Sequence, residues 1–185
     1  MTLRALQFFF LAAILFSGAR LHGDLSVGTT YSLSFVTIDG NKLSTSDGHV
    51  TVLVLTTPAD RAKASAVGDR VPERILGNPD YRMITVVCFA RGRTVFGRKL
   101  VTALLRHRVN EEAARLQSRY KSKGIERDAR KDVLVAADFD HSVFSQLGQS
   151  TSDTGFFVFV FGRNGELIAQ WHDVPSAEQL RAAIK

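Results

Sequence analysis

The sequence predicts an α/β domain: a central mixed β-sheet flanked by helices, preceded by an N-terminal β-hairpin and carrying one long basic helix. Three observations predict it. Val50–Thr57 (VTVLVLTT) is a continuous apolar, β-branched run, the pattern of a strand buried on both faces. Similar runs at Tyr81–Ala90 and Val133–Ala137 alternate with helical stretches, which means helices covering a sheet. Near the C-terminus, Arg163-Asn164-Gly165-Glu166 joins two strand-like runs, and an Asn-Gly turn of this kind adds antiparallel strands.

Composition sets the bounds. The chain has 185 residues, enough for one ordinary domain, and its 45% hydrophobic and 23% charged residues are those of a globular protein with a sizeable core. Net charge is +6, which favours weak attraction to anionic surfaces. Cys88 is the single cysteine, so an intramolecular disulfide is excluded. It sits in the strand-like run Met83–Phe89, where a thiol acts as a small buried hydrophobe.

Arg4 followed by the apolar block Ala5–Phe16 and the small residues Ser17-Gly18-Ala19 predicts a signal peptide over residues 1–19. Residues 20–30 read as a flexible lead-in and 31–185 as the domain. The protein is then exported, periplasmic or secreted; the alternative is anchorage in the inner membrane by an uncleaved signal.

The elements follow in order. Tyr31–Ile38 alternates apolar and polar residues, Asp39-Gly40 turns the chain, and Asn41–Ser44 returns. After Val50–Thr57, Pro58 suits the first turn of a helix over Ala59–Val71, with Thr57 as its N-cap. Gly77-Asn78-Pro79-Asp80 is a turn, Tyr81–Ala90 a strand and Arg91–Gly97 a loop. Arg98–Lys123 is the longest helix. Val101, Leu104, Leu105, Val109, Ala113, Leu116 and Tyr120 share one face, Arg106, Arg108, Arg115, Arg119, Lys121 and Lys123 the other, and Gly124 ends it. Val133–Ala137 is a strand, Val143–Leu147 a short helix and Gln149–Gly155 a polar loop. Phe156–Phe161 and Leu167–Trp171 form the hairpin, and a last helix, capped by Ser176, runs to Lys185.

This order of elements resembles the thioredoxin-like superfamily, in particular its exported thiol-disulfide oxidoreductase and peroxiredoxin-related branches. Phe35–Leu43 is similar to the Asp-Gly-Lys hairpin before the core in those branches. His49–Thr57 resembles the strand leading to their active site. Asp138–Gly148, Phe157–Leu167 and Ser176–Ile184 resemble the small helix, the Asp-x-x-Gly hairpin and the closing helix. The resemblance implies a thioredoxin-like fold over most of the mature chain. It also implies a redox site at the helix start after the first core strand, with a cis-proline facing it.

The residues depart from that site. Thr57–Lys63 hold no cysteine, whereas dithiol exchange needs a thiol there, where a helix N-terminus favours the thiolate. Thr154-Gly155, not proline, precede Phe156. No catalytic residue of the family carries over, and no cofactor is predicted. What remains is a groove where relatives dock extended segments. Here it would comprise Thr56, Thr57, Pro58, Asp60 and Arg61 with Thr154 and Gly155, a site for a protein or peptide partner. A basic face of Arg106, Arg108, Arg115, Arg119 and Lys123 would add electrostatic attraction, including weak contact with an anionic envelope surface.

A second class of function is a thiol-redox protein acting through Cys88, and a third is a structural domain of an envelope assembly. Asp138-Phe139-Asp140 after a strand is reminiscent of a haloacid-dehalogenase nucleophile motif, but that motif should open its domain, and capping aspartates are the simpler reading. Asp138, Asp140, His141, His172 and Asp173 could face one another near strand ends, but their spacing matches no metal-ligand pattern, so no metal is predicted. Arg91–Lys131 carries thirteen Lys/Arg against four Asp/Glu, yet Tyr120 is nearly alone as an aromatic platform, so no nucleic acid is expected as partner.

Overall fold

The computed structural model describes residues 25–90, 94–147 and 155–184. The expected signal peptide, residues 1–19, lies outside them, as does Thr154.

Two strands, β1 (Ser34–Val36) and β2 (Lys42–Ser44), pair antiparallel as the expected hairpin, with Phe35 opposite Leu43. The main sheet contains β3 (Val50–Thr56), β4 (Tyr81–Cys88), β5 (Val133–Asp138), β6 (Phe157–Phe161) and β7 (Leu167–Trp171), in the order β5-β4-β3-β6-β7. β3, β4 and β5 are parallel, and β6 and β7 add antiparallel to β3. The sheet is therefore mixed, and β3 is its centre, buried at every residue.

Four helices complete the domain: α1 (Arg61–Arg70), α2 (Val95–Ser122), α3 (Ser142–Gln146) and α4 (Ala177–Ala183). The pleat of β3 sorts the core into two layers. Leu53 and Leu55 join Ile84, Val86, Phe157 and Phe159 under the hairpin and α3, where Phe35, Phe144 and Leu147 cover them. Val52 and Val54 face the other way, with Val158 and Val160, against Val67 of α1, Leu180 of α4 and Ile184 just after it. A capping box holds the start of α4: Ser176 Oγ accepts from Gln179 N, and the Gln179 side chain accepts from Ser176 N.

Three expectations are corrected. The lead-in over 20–30 is not free from Leu25 onward. Leu25 is buried in the hairpin-side core, and Gly28 N donates to Leu167 O at 2.8 Å, because β7 is an edge strand whose open backbone groups this segment satisfies. Thr57 does not cap through its hydroxyl oxygen. A 3-10 turn, Pro58–Asp60, intervenes before α1, and Thr57 Oγ1 instead donates to Asp60 Oδ2 at 2.8 Å. The long helix begins at Val95 rather than Arg98, since Thr94 Oγ1 accepts from Gly97 N at 3.2 Å and draws that stretch into the first turn.

The apolar stripe of α2 also differs from its reading. Val109, Ala113 and Tyr120 are buried, but Leu104 is 55% exposed, as is Leu100. The helix is tied down at its C-terminal half. Tyr120 Oη donates to Asp132 Oδ2 at 2.8 Å, and Arg127 makes a two-pronged pair with the same carboxylate. Gln117 accepts from Ala129 N and donates to Arg127 O. The N-terminal half is tied through arginines instead, Arg98 to Asp140 and Arg106 to Ile38 O, and it leaves Leu100 and Leu104 exposed.

Candidate binding site at the strand ends

The carboxyl ends of β3 and β4 meet the start of α1, the position where α/β folds gather functional groups. Thr56 is buried, Thr57 and Asp60 are half-buried, and Pro58 and Arg61 are exposed. The Thr57 hydroxyl is committed to Asp60, and Arg61 stands 3.7 Å from Glu112 of α2. β6 runs antiparallel to β3 with Leu55 opposite Phe157, and Gly155 and Phe156 lead into β6 beside the end of β3. The end of β3 thus carries a threonine and a proline, and the entry to β6 a glycine, with no sulfur at either. Thr154, the remaining candidate here, is outside the described residues.

Cys88 is near in the sheet but aimed elsewhere. It ends β4, with its side chain in the core under α3 and 8% exposed. Burial pushes its thiol up to about 12, and the Asp138 carboxylate on the neighbouring strand adds to the rise. A thiol of this kind is almost wholly protonated at neutral pH and so a poor nucleophile. A colourless disulfide reagent such as DTNB should leave Cys88 unmodified in the native protein and react fully after denaturation. Rapid reaction of the native protein would contradict this burial and revive the thiol-redox reading.

The acidic and imidazole groups are each engaged by other partners. Asp138 accepts from the backbone N–H groups of Ser142, Val143 and Phe144 at 2.9–3.1 Å, capping α3. Asp140 accepts two bonds from Arg98, at 3.1 and 2.6 Å. His141 holds Phe89 O through Nε2 at 2.8 Å, His172 packs edge-on against Phe157, and Asp173 pairs with Lys63 at 3.2 Å. Among the described residues no three His, Cys, Asp or Glu side chains group as metal ligands. The Asp138-Phe139-Asp140 run is therefore a capping turn.

The five cationic candidates are not presented alike. Arg106 donates to Ile38 O at 2.7 Å and lies near Asp39, and Lys123 pairs with Glu73 at 2.8 Å. Arg108, Arg115 and Arg119 line a groove between α2 and α1, where Arg115 shares Glu112 with Arg61. Sequence reading misses Glu112 and the groove itself. The only sequence sign is the three-residue spacing of Glu112 and Arg115, common on any solvated helix.

The geometry defines a thioredoxin-like fold, and solved structures agree. A DsbF homologue from Corynebacterium diphtheriae superposes with a TM-score of 0.52 at 12% identity, covering 98% of both chains. The dsbF of Mycobacterium tuberculosis gives 0.50 at 16% identity, over 82% of this chain and 91% of that one. A protein disulfide isomerase candidate from Bacteroides thetaiotaomicron gives 0.51 at 13% identity, over 86% of each chain. No family model matches the sequence, and no curated protein is similar to it. In particular, this is a thioredoxin-like domain with one cysteine, placed off the helix start that follows the central strand.

Proposed function

We propose that this protein is an exported thioredoxin-like domain without dithiol chemistry, which acts by binding a protein or peptide partner at the β3–β6 strand ends. The observation that supports the reading is that the end of β3, leading into Thr57–Pro58, lies beside the start of β6, which Gly155 precedes, with no cysteine in either stretch. An extended segment can run past such a surface, with the small Gly155 leaving room for close backbone approach. The apolar block Ala5–Phe16 and the small residues after it support export. Among the described residues no helix is long and apolar enough to cross a membrane.

The test is affinity capture by the mature protein from an envelope extract, at low and raised salt, with the wild type and with Gly155→Trp and Thr57→Lys. A partner retained in salt and lost from both variants supports the reading. Partners held equally by all three proteins would overturn it. Capture of many acidic species that wash off in salt would reduce the basic residues to a nonspecific surface.

A further inference from the structure

α1 and α2 cover the same face of the sheet but do not meet over β4 and β5, and a groove of about 560 Å³ lies between them. Its size falls within the roughly 300–1,000 Å³ of small-molecule sites. Met83, Thr85 and Val87 of β4 and Val135 of β5 form its floor. Val101, Leu105 and Val109 of α2 form one wall, and Ala64, Ser65 and Gly68 of α1 the other.

The rim has a definite charge. Arg61, Arg108 and Arg115 stand exposed along it, and Arg119 is half-buried beside them. Against these four cations stand Glu112, shared by Arg61 and Arg115, and Asp69; Arg82 and Asp132 also line the groove, but each is paired, with Asp47 and Arg127. Arg108 has no hydrogen bond or ion pair among the described residues. A mostly apolar trough with a surplus of guanidinium groups at its lip is complementary to one kind of small molecule, an apolar tail ending in an anion. The apolar surface also continues over the lip, through Leu104 to the exposed Leu100 and Phe96, which gives such a tail a path inward.

We propose that this groove binds a free long-chain carboxylate, with its tail along β4 between α1 and α2 and its head group on Arg108 and Arg61. Planar guanidinium groups take carboxylates in two-pronged, charge-assisted hydrogen bonds, which an ammonium cannot match geometrically. The site goes beyond the partner surface at the strand ends: it shares Thr56, Thr57, Pro58 and Arg61 at one end but not Asp60 or Gly155.

The experiment is titration of the mature protein with a fluorescent fatty acid, followed by displacement with oleate and with oleyl alcohol. Saturable one-to-one binding is expected, with oleate displacing the probe and the alcohol doing so about tenfold less well, the worth of one charged hydrogen bond. Arg108→Glu should weaken binding by about tenfold through loss and reversal of that charge. Ser65→Trp, an exposed position that overhangs the groove, should abolish it, and Leu105→Trp should do the same from the opposite wall. Because Ser65 is on the surface, its variant stays informative if Leu105→Trp fails to fold. Gly155→Trp should leave fatty-acid binding intact, which separates this site from the partner surface. Absence of saturable binding, indifference to Ser65→Trp, or binding only to anionic vesicles would overturn the proposal. So would a wild-type dimer that buries the groove against a second copy.

Discussion

Gly165→Ala is expected to destabilise the domain by about 3 kcal/mol, two distinct costs acting at one residue. Gly165 follows Asn164 in the β6–β7 turn with φ +84°, where an L side chain costs about 1–2 kcal/mol. A Cβ there would also lie 2.3 Å from Tyr31 O, a backbone atom that cannot swing aside. Tyr31 N donates to Gly165 O at 2.8 Å, so relieving the overlap pulls the incoming 28–31 segment off the edge of the sheet. Gly48→Ala is the control. Its φ is +94°, but nothing lies within 4 Å of its Cβ position, so it should show the conformational cost alone. Urea unfolding of both variants measures the difference as a shift in midpoint at constant slope. Equal losses in the two would show that the Tyr31 contact yields freely.

The second large effect is at Asp47, which ties the hairpin to the sheet. Arg82 of β4 donates to both Asp47 oxygens, at 2.9 and 2.7 Å, to Thr51 Oγ1 at 3.0 Å, and to Ser44 O. The Arg82 side chain is only 7% exposed. Asp47→Ala leaves that guanidinium buried without its counter-charge and should cost about 3 kcal/mol, as breaking a buried pair does. Asp47→Asn keeps one acceptor and should cost less. The same pair carries a pH signature. Burial alone would raise the Asp47 pKa, but hydrogen bonds from Arg82, His49 and the Ser44 N–H outweigh it and lower it from 3.8 to about 2. The folded state therefore holds the carboxylate more tightly than the unfolded state does. Its contribution is complete above about pH 4 and is lost as pH falls toward 2. With Asp47 about one-third exposed, solvent screening limits this to roughly 1–2 kcal/mol. Wild type should lose that much more stability than Asp47→Asn between pH 5 and pH 2, and parallel acid profiles would refute the linkage.

Both effects depend on how segments meet, and they mark the boundary between what the chain states locally and what it decides in three dimensions. Strand identity was legible because burial imposes composition: β3 is apolar at nearly every position since both of its faces are covered, by α1 and α4 on one side and the hairpin on the other. The Asn164-Gly165 hairpin and the Ser176 cap were legible because each is set by a few consecutive residues. The absence of a thiol after β3 needed only the order of residues, and it excludes dithiol chemistry there whatever the packing.

Tertiary structure alone decided the rest. An apolar period on α2 says that one side avoids water, but not that the rest of the protein is there to meet it. Leu104 is exposed although the helix is tied at Tyr120 and Gln117 and, toward its N-terminus, through Arg98 and Arg106. The partnership of Arg61 with Glu112 and the groove between α1 and α2 join residues far apart in the chain. No local pattern encodes such distances. They follow from the order of strands in the sheet and the sides on which the helices cross it.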